Sequence, residues 1–172
     1  MSTPGPVTGE RADLLQALDN QRGLLRRTTR GLTDEQAARR TTVSELCLGG
    51  LIKHVALVER RWADFILEGP SAMGPGNEAD MSAWMNAFRM LDGETLDGLL
   101  EEYSAVASRT DELVATLPDL DAEQSLPEAP WYEPGARRSA RRVLMHVIAE
   151  TAQHAGHADI IRESLDGAKS MG

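Results

Sequence analysis

Several things are scarce in this chain, and each scarcity closes off a class of protein. There is one cysteine, Cys47, in 172 residues, so no intramolecular disulfide can form. Aromatic residues make up 4%. Strands favour aromatic and β-branched side chains, so a sequence dominated by Ala and Leu reads as helical. Positive charge is in deficit: 18 Lys and Arg against 27 Asp and Glu leave a net charge of −9. Phosphate neutralisation carries most nucleic-acid affinity, and the short basic runs Arg26-Arg27, Arg137-Arg138 and Arg141-Arg142 are interleaved with acidic stretches. No nucleic-acid partner is expected. No apolar run approaches the roughly 20 residues that span a bilayer, and Met1 to Pro6 lacks the apolar core of a signal peptide. A cytoplasmic protein with no membrane partner is expected.

What is present is enough for one domain with a real core: the length suits it, and 41% apolar residues argue against disorder. The expectation is a domain over residues 10–167, between a flexible N-terminus, 1–9, and a tail, 168–172. Leu14, Leu15, Leu18, Leu24 and Leu25 form a helical stripe from about Glu10 to Arg30, with Gly31 placed to stop it. Thr33 to Gln36 has capping-box spacing for a short helical turn. A second long helix runs from about Cys47 to Glu68. Its inner face carries Leu48, Leu51, His54, Val55, Val58, Trp62 and Phe65, while Glu59, Arg60 and Arg61 are expected in solvent. Gly49-Gly50 within it marks either a close backbone approach or a frayed start.

After a Gly/Pro-rich break, 69–80, Ser82 to Met90 reads as a short helix with Trp84, Met85 and Phe88 inward. Glu94 to Leu117 is the third long helix, ended by Pro118. Asp119 to Gly135 is a long connection in which Trp131-Tyr132 forms either the roof of a pocket or a plug on the bundle end. Ser139 caps the last helix, Ala140 to Leu165, which Asp166-Gly167 closes. Four long helices and no convincing strand give an all-α fold, a helical bundle.

The last helix carries the chemistry. Positions four apart on a helix lie about 40° apart around its axis, so His146, Glu150, His154 and His157 share one face. Three of the chain's four histidines fall in this row. A carboxylate facing a core must be paired or metal-bound, and imidazoles with a carboxylate suit a divalent transition metal. His146–Glu150 and Glu150–His154 are both i, i+4 pairs, and spacing alone does not choose between them. A lone core histidine is the ordinary reading of His54, and a small core residue that of Cys47.

Two segments carry a resemblance. Leu48-Gly49-Gly50-Leu51-Ile52-Lys53-His54-Val55-Ala56-Leu57-Val58-Glu59-Arg60-Arg61-Trp62 and the run from His146 to Glu163 resemble the two signatures of the DinB-like superfamily. The nearest likeness is to its mycothiol S-transferase branch, related to mycothiol-dependent maleylpyruvate isomerases. It extends to Leu91-Asp92-Gly93-Glu94-Thr95 and Ala129-Pro130-Trp131-Tyr132. The resemblance implies a DinB-like four-helix bundle with one or two short extra helices. It also implies a metal site made by His54, Glu150 and His154, commonly in a homodimer. His146 then lies near the site but outside the triad, and His157 matches a position often held by glutamine. Both are candidates for supporting roles, and Trp131 and Tyr132 for a pocket wall.

Two histidines and one carboxylate leave coordination positions free, as catalytic sites do. Zinc fits, and nickel, iron or manganese share the ligand types. The resemblance implies a metal-dependent thiol S-transferase that conjugates mycothiol to an electrophilic small molecule through a metal-activated thiolate, serving detoxification. The alternatives are an isomerase or hydrolase using metal-bound water, and a non-catalytic, stress-linked metal-binding protein.

Overall fold

The computed structural model describes residues 7–74 and 78–170. The expectations of a flexible segment at 1–6, of a break through 75–77 and of a tail at 171–172 lie outside the described residues. Six α-helices are described: α1 Glu10–Arg27, α2 Asp34–Ala38, α3 Leu48–Glu68, α4 Glu78–Met85, α5 Leu96–Thr116 and α6 Ala140–Asp166. A 3-10 turn, Gly69–Met73, follows α3. The four long helices, α1, α3, α5 and α6, close a ring in which α6 packs between α1 and α3, and α5 packs on α3 and α1. This is the all-α DinB-like bundle. Beside it stand the two short helices α2 and α4 and the 3-10 turn. No described helix is long and apolar enough to cross a membrane.

Local chemistry sets several of the helix ends. Thr33 and Gln36 make the reciprocal capping box of α2, the Thr33 hydroxyl accepting from Gln36 N at 3.2 Å and Gln36 Oε1 from Thr33 N at 2.9 Å. Thr95 and Ser139 cap α5 and α6 by accepting from Gly98 N and Arg142 N. Gly167, left-handed at φ 78°, ends α6 with its N–H on the Glu163 carbonyl.

The core is two apolar clusters with a polar band between them along each helix. Leu18, Val58, Phe65, Val114 and Val143 represent one cluster, and Leu25, Leu51, Val55, Tyr103 and Ala158 the other. Arg22 on α1 and Glu59 on α3 lie in the band, both buried. Glu59 was expected in solvent with Arg60 and Arg61, and here the expectation fails. Arg22 Nη2 meets Glu59 Oε1 at 2.5 Å and Arg22 Nε meets Oε2 at 3.2 Å, while Nη1 reaches Asp111 at 2.7 Å. A carboxylate is tolerated there because a guanidinium satisfies both its oxygens. Arg61 is also engaged, donating to the Met73 and Gly74 carbonyls.

The long connection before α6 contains strands that periodicity does not announce. β1, Glu123–Ser125, pairs antiparallel with β2, Arg137–Ser139. Three residues are too few for an alternating pattern to register. The ribbon ties both ends of the segment bearing Trp131-Tyr132 and delivers the chain into α6.

The expected helix Ser82 to Met90 is also revised. α4 stops at Met85, and turns carry the chain through Phe88. Met85 is 78% exposed and Trp84 45% exposed, so neither points into the core; Phe88 is half-buried.

Candidate metal centre

α3 and α6 bring His54 to the histidine row. His54, Glu150 and His154 each offer a donor atom, and these atoms all lie within 4.8 Å of one another. His54 and His154 are buried and Glu150 half-buried. The rings of His54 and His154 meet edge-on, centroids 4.8 Å apart. The other two members of the row sit beside this trio. His146 Nε2 is 3.8 Å from Glu150 Oε1, and His154 Nε2 is 3.7 Å from Glu150 Oε2. His157 Nδ1 lies 3.4 Å from His154 Nδ1.

Phe88 completes the setting. Its ring stacks on His54, centroids 3.9 Å apart and planes 22° apart. The turn that carries it is clamped to α3. A Cβ on Gly50 would stand 2.1 Å from the Phe88 carbonyl oxygen, so the close approach foreseen at Gly49-Gly50 is real. The Cys47 thiol donates to that same oxygen at 3.8 Å, and its sulfur accepts from Gly50 N at 3.4 Å as the N-cap of α3. Lys53 bridges the Arg89 carbonyl and Glu94. Sequence reasoning missed Phe88 as a site residue: it lies in a turn, where helical spacing gives no signal.

Electrostatics hold the histidines neutral. Burial pushes the His54 imidazole down to about 4, assisted by His154. Burial also lowers His154, assisted by His157 and opposed by Glu150. His146 is lowered by burial first, then by Arg138 and Arg142, with Glu150 opposing. A neutral imidazole has a lone pair to give.

Two observations test whether these residues fit a metal. Among the described residues His54 Nδ1 is buried with no hydrogen-bond partner, although buried polar atoms are nearly always satisfied. Glu150 stands beyond hydrogen-bond length from both flanking histidines, leaving room between donors. Neutral nitrogens and one carboxylate converging without bonding each other suit a divalent transition metal.

A model of the family described as Mycothiol-S-transferase matches residues 13–167. The chain belongs to this family. The mycothiol-S-transferase family is DinB-like, in keeping with the bundle. No curated protein sequence matches the chain. Among solved structures, a conserved protein from Enterococcus faecalis is similar with a TM-score of 0.66, covering 94% of this chain and 100% of its own, at 13% identity. A likeness at that identity shows the fold alone. For this family member, then, the bundle and the meeting of His54, Glu150 and His154 rest on separate observations.

Proposed function

We propose that this mycothiol-S-transferase family member is a metal-dependent thiol S-transferase that joins mycothiol to an electrophilic small molecule, with His54, Glu150 and His154 as the metal ligands. The observation that carries the reading is the convergence of two neutral imidazoles and one carboxylate, from α3 and α6, in a chain of that family. Zinc is the metal we infer, since two histidines and one carboxylate form a catalytic zinc set; nickel, iron and manganese take the same ligand types.

A divalent ion held by two neutral imidazoles and one carboxylate would keep one net positive charge, which favours a thiolate over a thiol at neutral pH. The chain's own groups prepare for this. Burial, and then His154, holds His54 down to about 4, so it is unprotonated at neutrality. Glu150 lies between His154 on one side and His146 on the other, which puts its carboxylate in the middle of the row. His157 abuts the back of His154. Cys47 has no part in the chemistry: its sulfur is buried and committed to the α3 cap.

The test is conjugation of mycothiol to monochlorobimane by zinc-loaded protein. A sulfur–carbon bond forms, the carbon–chlorine bond breaks, chloride leaves with the bonding pair and the thiol proton passes to solvent. Conjugation above the uncatalysed rate is expected, together with loss of bound zinc in His54→Ala and His154→Ala. Background rates in the metal-loaded wild type, or full zinc content in both variants, would sink the reading. Turnover of an ester or other hydrolysable substrate with no thiol present would favour a hydrolase instead.

A further inference from the structure

The chain is poor in aromatics, yet all three tryptophans, Trp62, Trp84 and Trp131, line a single groove with Tyr132. The groove holds about 710 Å³, within the size range of small-molecule sites. It lies against the candidate metal centre. Trp62 packs edge-on to His146, centroids 4.9 Å apart, and His146 borders Glu150. Trp84 stands 6.1 Å from the His54 ring. The groove therefore shares two of its wall residues, Trp62 and Trp84, with the surroundings of the triad.

The groove's charged groups are already engaged by the protein. Arg60 pairs with Glu102 and Asp64 with Arg109. Arg61 donates to the Met73 and Gly74 carbonyls and stacks on Trp84 at 5.1 Å. Arg138, behind the wall, lies over both Trp62 and Tyr132, at 5.0 Å and 5.7 Å. What the groove still offers a ligand is ring faces with their N–H and O–H edges, and apolar surface. Much of that surface is bare: Trp131 is 76% exposed, and Met85 and Trp84 are exposed beside it. Exposed large apolar side chains gathered around a concavity mark a binding site rather than chance.

Resting on the transferase reading above, we propose that this groove binds the electrophilic co-substrate and selects uncharged aromatic electrophiles. A planar ring stacks between tryptophans and gains burial without needing a charged partner. An anion requires a free cation, and the groove's cations are engaged within the fold.

The test is calorimetric titration of the protein, with no metal or thiol added, with meta-dinitrobenzene, which resembles an aryl electrophile but has no halide to lose. Saturable binding is expected, weakened about tenfold in Trp131→Ala and restored in Trp131→Phe. Trp131 is exposed, so its removal leaves the fold intact, verified by an unchanged circular dichroism spectrum and zinc affinity. No saturable binding, or equal binding by Trp131→Ala, would overturn the proposal. Tighter binding of dinitrobenzoate would overturn the preference for uncharged rings. Displacement of dinitrobenzene by mycothiol would assign the groove to the thiol and overturn it too. So would a dimer that Trp131→Ala dissociates while ring binding persists, because the occupant is then a second copy. The titration needs neither metal nor thiol, so its failure is distinct from failure of the conjugation assay.

Discussion

His157 stands directly behind His154, Nδ1 to Nδ1 at 3.4 Å, while His154 Nε2 turns toward Glu150. For His154 to offer its Nε2 lone pair, its Nδ1 must carry the proton, and His157 Nδ1 is the atom placed to accept it. Outer partners of this kind orient ligating histidines and raise their basicity. His157→Ala is expected to weaken zinc binding about tenfold or more, read by competition with a chromophoric chelator. His157→Gln, whose amide oxygen also accepts, keeps most of the affinity. Equal affinities for wild type and His157→Ala would remove His157 from the site.

Gly50 meets the Phe88 carbonyl so closely that any side chain there must push the turn away. Gly50→Ala is expected to destabilise by about 2 kcal/mol, the scale of overpacking, and to loosen zinc binding because Phe88 stacks on His54. Gly156, on α6, has open space where a Cβ would go. Gly156→Ala is expected to stabilise by about 0.5–1 kcal/mol through helix propensity. Urea unfolding of both variants checks the contrast; a stable Gly50→Ala protein would contradict it.

Glu59 and Arg22 form a buried pair in the polar band between the two apolar clusters. Removing Glu59 leaves the buried guanidinium with only the part-exposed Asp111 as partner. Glu59→Leu is expected to cost about 3 kcal/mol, read as a fall in the denaturation midpoint at unchanged slope. The double change Arg22→Met with Glu59→Leu recovers most of it, since well-packed apolar groups replace buried ion pairs at little cost. A double variant no better than the single one would show that the pair stabilises more than its apolar substitute.

These residues also mark how far the sequence was readable. The bundle was legible because four long stripes at helical spacing leave few other ways to bury them. His54, Glu150 and His154 were legible as a group because the row on α6 and the His54 face on α3 each had an inner side, and the family likeness paired them. Glu59 was not, because its need for burial arises from Arg22, a residue on another helix that no spacing rule connects to it. Phe88 and the β1–β2 ribbon were missed for a related reason: turns and three-residue strands have too few residues to show a period. Trp131-Tyr132 stayed open between roof and plug because the sequence does not say what a loop covers; both residues line the groove.

His54 gives the metal-free protein a defined acid limit. Unfolded, it titrates near the ordinary histidine value of about 6.5; folded, burial holds it down to about 4. Between those values the unfolded chain binds the proton and the folded one does not, so acid favours unfolding. The stability contributed by keeping His54 neutral is fully present above about pH 6.5 and is lost as pH falls toward 4. His146 and His154, also lowered by burial, add to the same slope. Thermal unfolding of metal-free protein from pH 7.5 down to pH 4 is therefore expected to show a melting temperature that falls steepest below about 6.5. His54→Gln, with no proton to take up, flattens that profile between about pH 6.5 and 5. A profile of identical slope in His54→Gln would show that His54 is protonated in the folded state as readily as in the unfolded chain, and would remove the electrostatic basis for treating it as a ready ligand.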